Sequence, residues 1–104
     1  MPMINLKKET LEILAQNNRY PLEVEFVTDG NSYISFDEFL RLADFEYSKN
    51  WGGNKIPLKL QVVGKDFWLE RHEYDGMEWW EYKTMPKITP DMKNKPFFMG
   101  NGDE

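Results

Sequence analysis

The sequence has no cysteine and a single histidine, His72. The first absence excludes disulfides, thiol nucleophiles and thiolate metal sites, and it permits a reducing cytoplasm. The second leaves imidazole chemistry to one position. No apolar run approaches the ~18–20 residues of a membrane span. Met1 to Lys8 lacks the apolar core of a secretory leader, so none is expected. The Walker and dinucleotide glycine spacings are missing too, and Gly52-Gly53 after Trp51 is no phosphate loop. Positive charge is scarce: 13 Lys and Arg against 18 Asp and Glu leave a net charge of -5. That balance disfavours direct binding to nucleic acid or to an anionic membrane.

Aromatic residues are abundant. Seven Phe, five Tyr and four Trp make up 15% of 104 residues, which excludes a generally disordered chain. The length suits one domain, because so short a chain cannot fill two cores. Residues 1–84 are expected to form a single globular α+β domain and residues 85–104 an irregular tail. That tail holds Pro86, Pro90, Pro96, Gly100 and Gly102, with Phe97 and Phe98 either tucked into a groove or offered to a partner.

Asn5 can cap a first helix, in which Leu6, Leu11, Ile13, Leu14 and Ala15 recur at helical spacing. Asn17-Asn18 and the Tyr20-Pro21 step end it. Leu22, Val24 and Phe26 then alternate with Glu23 and Glu25, which predicts a half-buried strand to Val27. Asp29-Gly30-Asn31 reads as a turn into a short strand over Ser32–Ile34. Ser35 and Glu38 have capping-box spacing, with Ile34 and Phe39 at the staple positions. Phe36, Phe39, Leu40, Ala43 and Tyr47 continue a helical stripe, predicting a second helix that ends near Ser48 to Asn50. Trp51–Asn54 is a loop. After Pro57, the residues Leu58, Leu60 and Val62 alternate with Lys59, Gln61 and Val63 as in a strand.

Phe67 to Lys83 reads as a β-hairpin about Asp75-Gly76, a pair suited to a two-residue type I′ turn. Such a turn fixes register, so Tyr74 opposes Met77, His72 opposes Trp79, Glu70 opposes Glu81 and Trp68 opposes Lys83. One face carries Phe67, Leu69, Arg71, Trp80 and Tyr82 and reads as core, with Arg71 over the Trp80 ring. The other carries Trp68, Glu70, His72, Tyr74, Met77, Trp79, Glu81 and Lys83. The opposed Glu70 and Glu81 call for a cation nearby, from Lys83, His72 or a partner. This mixture suits a contact patch with aromatic anchors and an acidic centre.

Plainer readings stand beside that one. Aromatics at period two commonly serve packing, and the acidic residues Glu23, Glu25, Asp29, Asp37, Glu38, Asp44 and Glu46 suit a solvated face. Glu70, His72 and Glu81 have metal-ligand chemistry, yet one histidine is thin support, so no metal, cofactor or catalytic residue is expected.

The stretch Asp66–Gly76 (DFWLERHEYDG) followed by Glu78–Lys83 (EWWEYK), with the opening helix Ile4–Leu14, carries a resemblance. It resembles a group of small, functionally unassigned proteins of Gram-positive bacteria, their prophages and phages. The resemblance brings no catalytic residues. It implies an accessory gene product working in the bacterial cytoplasm, a setting in which small acidic proteins often inhibit host defence or replication proteins, as anti-CRISPR proteins do.

The expected fold is α+β, two helices packed on one face of a small antiparallel sheet that ends in a C-terminal β-hairpin. The expected function is a non-enzymatic phage or prophage protein that binds and inhibits a bacterial nucleic-acid-handling or defence protein. Its contact residues would be Trp68, Glu70, His72, Tyr74, Met77, Trp79 and Glu81, without direct contact to nucleic acid or membrane. The alternatives are a small hydrolase or metal-binding enzyme using His72, Glu70 and Glu81, and a homodimer pairing its aromatic sheet faces. A carbohydrate module with Trp68 and Trp79 as platforms lacks the secretion signal it would need.

Overall fold

Asn5 opens the first helix: its side-chain oxygen accepts the Lys8 backbone N–H at 3.0 Å. The structure, a computed structural model, describes residues 3–48 and 56–100. The helix, α1 (Leu6–Gln16), closes with Asn18 at φ 59. There the Arg19 N–H reaches the Leu14 carbonyl at 2.9 Å and the Asn18 N–H reaches that of Ala15 at 3.0 Å, a left-handed cap. Its buried stripe is Leu6, Thr10 and Leu14, while Ala15 points to solvent. Thr10 is absent from the sequence-based core, yet it is fully buried. Its hydroxyl donates to the Leu6 carbonyl at 2.7 Å and accepts the Trp80 indole N–H at 3.0 Å, so it serves as the polar partner of a buried tryptophan.

Seven strands, β1 (Ile4–Asn5), β2 (Val24–Thr28), β3 (Tyr33–Ile34), β4 (Glu46–Tyr47), β5 (Gln61–Gly64), β6 (Phe67–Tyr74) and β7 (Met77–Thr84), are present among the described residues. Five of them form one antiparallel sheet in the order β3-β2-β5-β6-β7. The other two, β1 and β4, pair antiparallel and tie the entry of α1 to the segment that follows α2 (Phe36–Leu42). Both helices cover the same face of the larger sheet. Leu6 and Leu14 of α1 and Phe36 and Phe39 of α2 bury against Val27, Val62, Phe67, Leu69 and Trp80. The fold is therefore α+β, as the sequence predicts.

The predicted strand over Leu22–Val27 is corrected at its start. Pro21–Glu23 is a 3-10 turn, held because the Glu23 carboxylate accepts the Tyr20 N–H at 2.8 Å and pairs with Arg19 at 3.0 Å. Leu22 is consequently 98% exposed. A bulge between Val24 and Phe26 then shifts the register against β5. It places Val27, not Phe26, in the core and turns Phe26 to the opposite face. The second helix is shorter than its stripe implies. It stops at Leu42, and Tyr47 reaches the core from β4 instead, because the chain turns at Ala43–Phe45 to pair with β1. Ser35 caps α2 by accepting the Glu38 N–H at 3.1 Å, whereas the Glu38 carboxylate pairs with Arg41 rather than completing a capping box. The expected strand after Pro57 begins only at Gln61: the Leu60 N–H turns back onto the Pro57 carbonyl and leaves Leu58 exposed. The predicted loop at Trp51–Asn54 lies outside the described residues.

The hairpin follows its predicted register without deviation, from Trp68 opposite Lys83 to Tyr74 opposite Met77. Asp75 (φ 52) and Gly76 (φ 84) are both left-handed, the backbone of a type I′ turn. Arg71 lies 5.0 Å over the Trp80 ring, as expected, and 5.2 Å over that of Tyr47. Past Thr84 the described residues form a single 3-10 turn, Pro90–Met92, and all are exposed, with Phe97 87% and Phe98 77% accessible.

Candidate functional site

Because both helices lie on one face, the other face of the sheet is covered by no described element. Strand alternation and cross-strand register decide what it displays. Phe26, Val63, Trp68 and Lys83 form one row across the sheet, and Thr28, Gln61, Glu70 and Glu81 form the next. His72 opposes Trp79 beyond them, with the two rings stacked at 6.2 Å and 20°. Tyr74 and Met77 stand at the hairpin tip, 74% and 50% exposed, away from the acidic centre.

At the centre the two opposed glutamates are held apart by donors. Trp68 Nε1 donates to Glu70 Oε1 at 2.7 Å, and Trp79 Nε1 donates to Glu81 Oε2 at 3.1 Å. Each indole sits two residues before its glutamate on the same strand and face, which is why both bonds form. The remaining oxygens turn inward: His72 Nε2 is 2.6 Å from Glu70 Oε2 and 3.4 Å from Glu81 Oε1. Lys83 Nζ also lies 3.4 Å from Glu81 Oε1. The cation that the opposed carboxylates call for is thus supplied within the hairpin by Lys83, and by His72 when protonated. Glu70, His72 and Glu81 are the one group among the described residues whose ligand-type atoms converge as a metal would need, all within 4.8 Å.

These donors hold both carboxyls below the ordinary glutamate value of 4.5. For Glu70 the Trp68 hydrogen bond leads, followed by His72; for Glu81 the Trp79 hydrogen bond leads, aided by the charges of His72 and Lys83. An acid bound less tightly to its proton in the folded state stabilises the fold above its unfolded pKa, and that contribution vanishes as pH falls through the folded value. Stability is therefore expected to decline as the pH drops below 4.5. Acid titration followed by circular dichroism should show a shallower decline for Glu70→Gln; equal slopes would refute this role.

Two features of the surroundings escape the sequence. On the outer face, the bulge in β2 adds Phe26, which meets Tyr33 edge-on at 6.1 Å and 78° beside a shallow cleft of about 410 Å³. Alternation with Leu22 and Val24 assigns Phe26 to the core side, and the bulge reverses that assignment. On the covered face, Arg71 is the centre of a buried polar network. Its Nη2 donates to the Tyr47 hydroxyl at 2.5 Å and lies 3.5 Å from Glu78, its Nη1 lies 3.4 Å from Glu9, and the Tyr47 hydroxyl donates to Glu9 at 2.5 Å. Burial, reinforced by the bond to Glu9, holds the Tyr47 phenol well above its ordinary pKa, so it stays a donor.

Compared with known proteins, the chain matches no family model, no curated protein and no solved structure. Among the described residues no helix is long and apolar enough to cross a membrane.

Proposed function

We propose that the chain is a non-enzymatic binding protein that docks its uncovered sheet face onto a basic groove of another protein. The observation that supports this reading is the outer face itself. Two indoles, Trp68 and Trp79, flank two carboxylates that they hold in place by hydrogen bonds. Carboxylates fixed in this way can stand in for phosphates against arginines and lysines, while the indole faces supply apolar contact area. The net charge of -5 speeds encounter with a basic partner, and the aromatic contacts slow release. The setting implied by the resemblance is a phage or prophage accessory protein in the bacterial cytoplasm. It makes a nucleic-acid-handling or defence protein of the host the class of partner, and occlusion of its nucleic-acid channel the mechanism of inhibition.

The test is retention of a partner from nuclease-treated bacterial lysate, followed by competition with an oligonucleotide for that purified partner. The expected result is mutually exclusive binding that weakens with salt. Trp79→Ala should weaken it by about 2 kcal/mol, roughly thirtyfold, with an unchanged thermal melt. A Trp79→Ala protein that melts early would show that the indole serves the fold, and simultaneous binding of the oligonucleotide would sink the occlusion mechanism. A dimer in light scattering, dissociated by Trp79→Ala, would assign the face to a second copy instead.

A further inference from the structure

We propose that Glu70, His72 and Glu81 form a binding site for a divalent transition-metal ion, zinc foremost, on the outer face of the β6–β7 hairpin. A single histidine is weak evidence in a sequence; the fold adds convergence. One ligand atom of each residue lies within 4.8 Å of the other two, and His72 Nε2 is 2.6 Å from Glu70 Oε2 and 3.4 Å from Glu81 Oε1. Tetrahedral zinc with bonds of ~2.0–2.1 Å places neighbouring ligand atoms about 3.3 Å apart. The two distances from His72 Nε2 bracket that spacing, so small side-chain shifts complete the set.

The second observation lies outside the trio. Metal-binding carboxylates are characteristically oriented by a hydrogen bond to the oxygen that does not bind the ion. Here each glutamate has one oxygen engaged by an indole N–H, Trp68 on Glu70 Oε1 and Trp79 on Glu81 Oε2. The other oxygen of each is the one that faces His72. The imidazole is itself oriented by stacking on Trp79. All three ligands stand on one hairpin of fixed register, so little ordering is left for the ion to impose. A cleft of about 340 Å³, lined by Lys59, Gln61, Glu70 and His72 among others, adjoins the site and leaves room for water to complete the coordination.

The chemistry balances. Two carboxylates and a neutral imidazole offset the charge of a divalent ion, and a nitrogen donor favours zinc, copper or nickel over calcium or magnesium. The contact between His72 Nε2 and Glu70 Oε2 is given up when the ion takes the Nε2 lone pair: a neutral imidazole then carries its one proton on Nδ1, and an imidazolium releases its Nε2 proton to solvent. Lys83 competes for Glu81 Oε1 from 3.4 Å, but its side chain is 43% exposed and can swing clear. The proposal does not rest on the partner-binding reading, which is testable in the presence of a chelator.

Titration of the full chain with zinc chloride by calorimetry, and with cobalt(II) by visible absorption, tests the site, with circular dichroism confirming the fold of each variant. The expected result is saturable one-to-one binding, weakened at least about 100-fold by His72→Gln and about 10–100-fold by Glu70→Gln or Glu81→Gln. Trp68→Phe, which keeps an aromatic ring but removes the donor, should cost about tenfold, and Lys83→Met should tighten binding. Absence of saturable zinc binding overturns the proposal. So does loss confined to His72→Gln, the mark of a lone imidazole, and so does calcium binding as tight as zinc, the mark of a merely acidic surface. If His72→Gln fails to fold, the Glu81→Gln and Trp68→Phe comparisons decide.

Discussion

Gly64→Ala is expected to destabilise the protein by about 3 kcal/mol, the upper part of the range for overpacking a core. A methyl group at this position would lie 2.1 Å from Phe67 Cε1 and 2.6 Å from Cζ, inside the ring's own contact distance. The ring cannot yield cheaply. Phe67 is 1% exposed, the Arg19 guanidinium sits 4.3 Å over it, and Tyr82 stacks at 5.8 Å. Arg19 is in turn fixed by the Tyr82 hydroxyl at 2.9 Å and by Glu23 and Asp66 at 3.0 and 3.2 Å. Thermal unfolding should therefore move down by more than about 10 °C. In a Phe67→Leu background the added cost of Gly64→Ala should fall below about 1 kcal/mol, since the clashing ring atoms are gone. A full cost retained in that background would place the strain elsewhere.

The second large effect is expected at Arg71. Its side chain is fully buried and touches Tyr47, Glu9 and Glu78 while lying between two aromatic rings. Removing the cation by Arg71→Met leaves the buried Glu78 and the half-buried Glu9 without it, and about 3–5 kcal/mol is the usual loss when one partner of a buried pair is removed. Arg71→Lys keeps the charge but not the planar fork that reaches several acceptors at once, so it should fall between. Urea denaturation distinguishes the three proteins by midpoint. A methionine variant within about 1 kcal/mol of the parent would show that the network contributes little to stability.

Legibility in the sequence tracked the range over which each feature is decided. The hairpin could be written down residue by residue because Asp75-Gly76 admits one turn and that turn admits one register. The placement of Glu70, His72 and Glu81 on one face follows from the same turn. The indole bonds that aim the carboxylates do not, because they depend on side-chain rotation rather than on strand phase. The local apolar pattern misplaces the start of β2 and the end of α2 for a related reason. A bulge at Val24–Phe26 and the β1–β4 pairing are tertiary events, and the local apolar pattern is equally compatible with their absence. The Arg71 network was hidden because its members are distant in the chain: Arg71 and Glu9 are 62 positions apart, and Arg71 and Tyr47 are 24.

The confinement of the predicted contact residues to one hairpin bears on how the protein is made and how it can change. All seven predicted contact residues lie within Phe67–Thr84, closed by a two-residue turn, whereas β2 reaches β5 only by joining Thr28 to Gln61 across 33 positions. Hairpins close in about 1–10 μs, and pairing across longer loops is slower. The patch is thus expected to take shape early, with the helices and β2 arriving afterwards to lock it. Substitutions in α1 or β2 then act mainly on how long the folded state lasts. The surface itself can diversify by changes within eighteen consecutive positions, nearly independently of the rest of the chain.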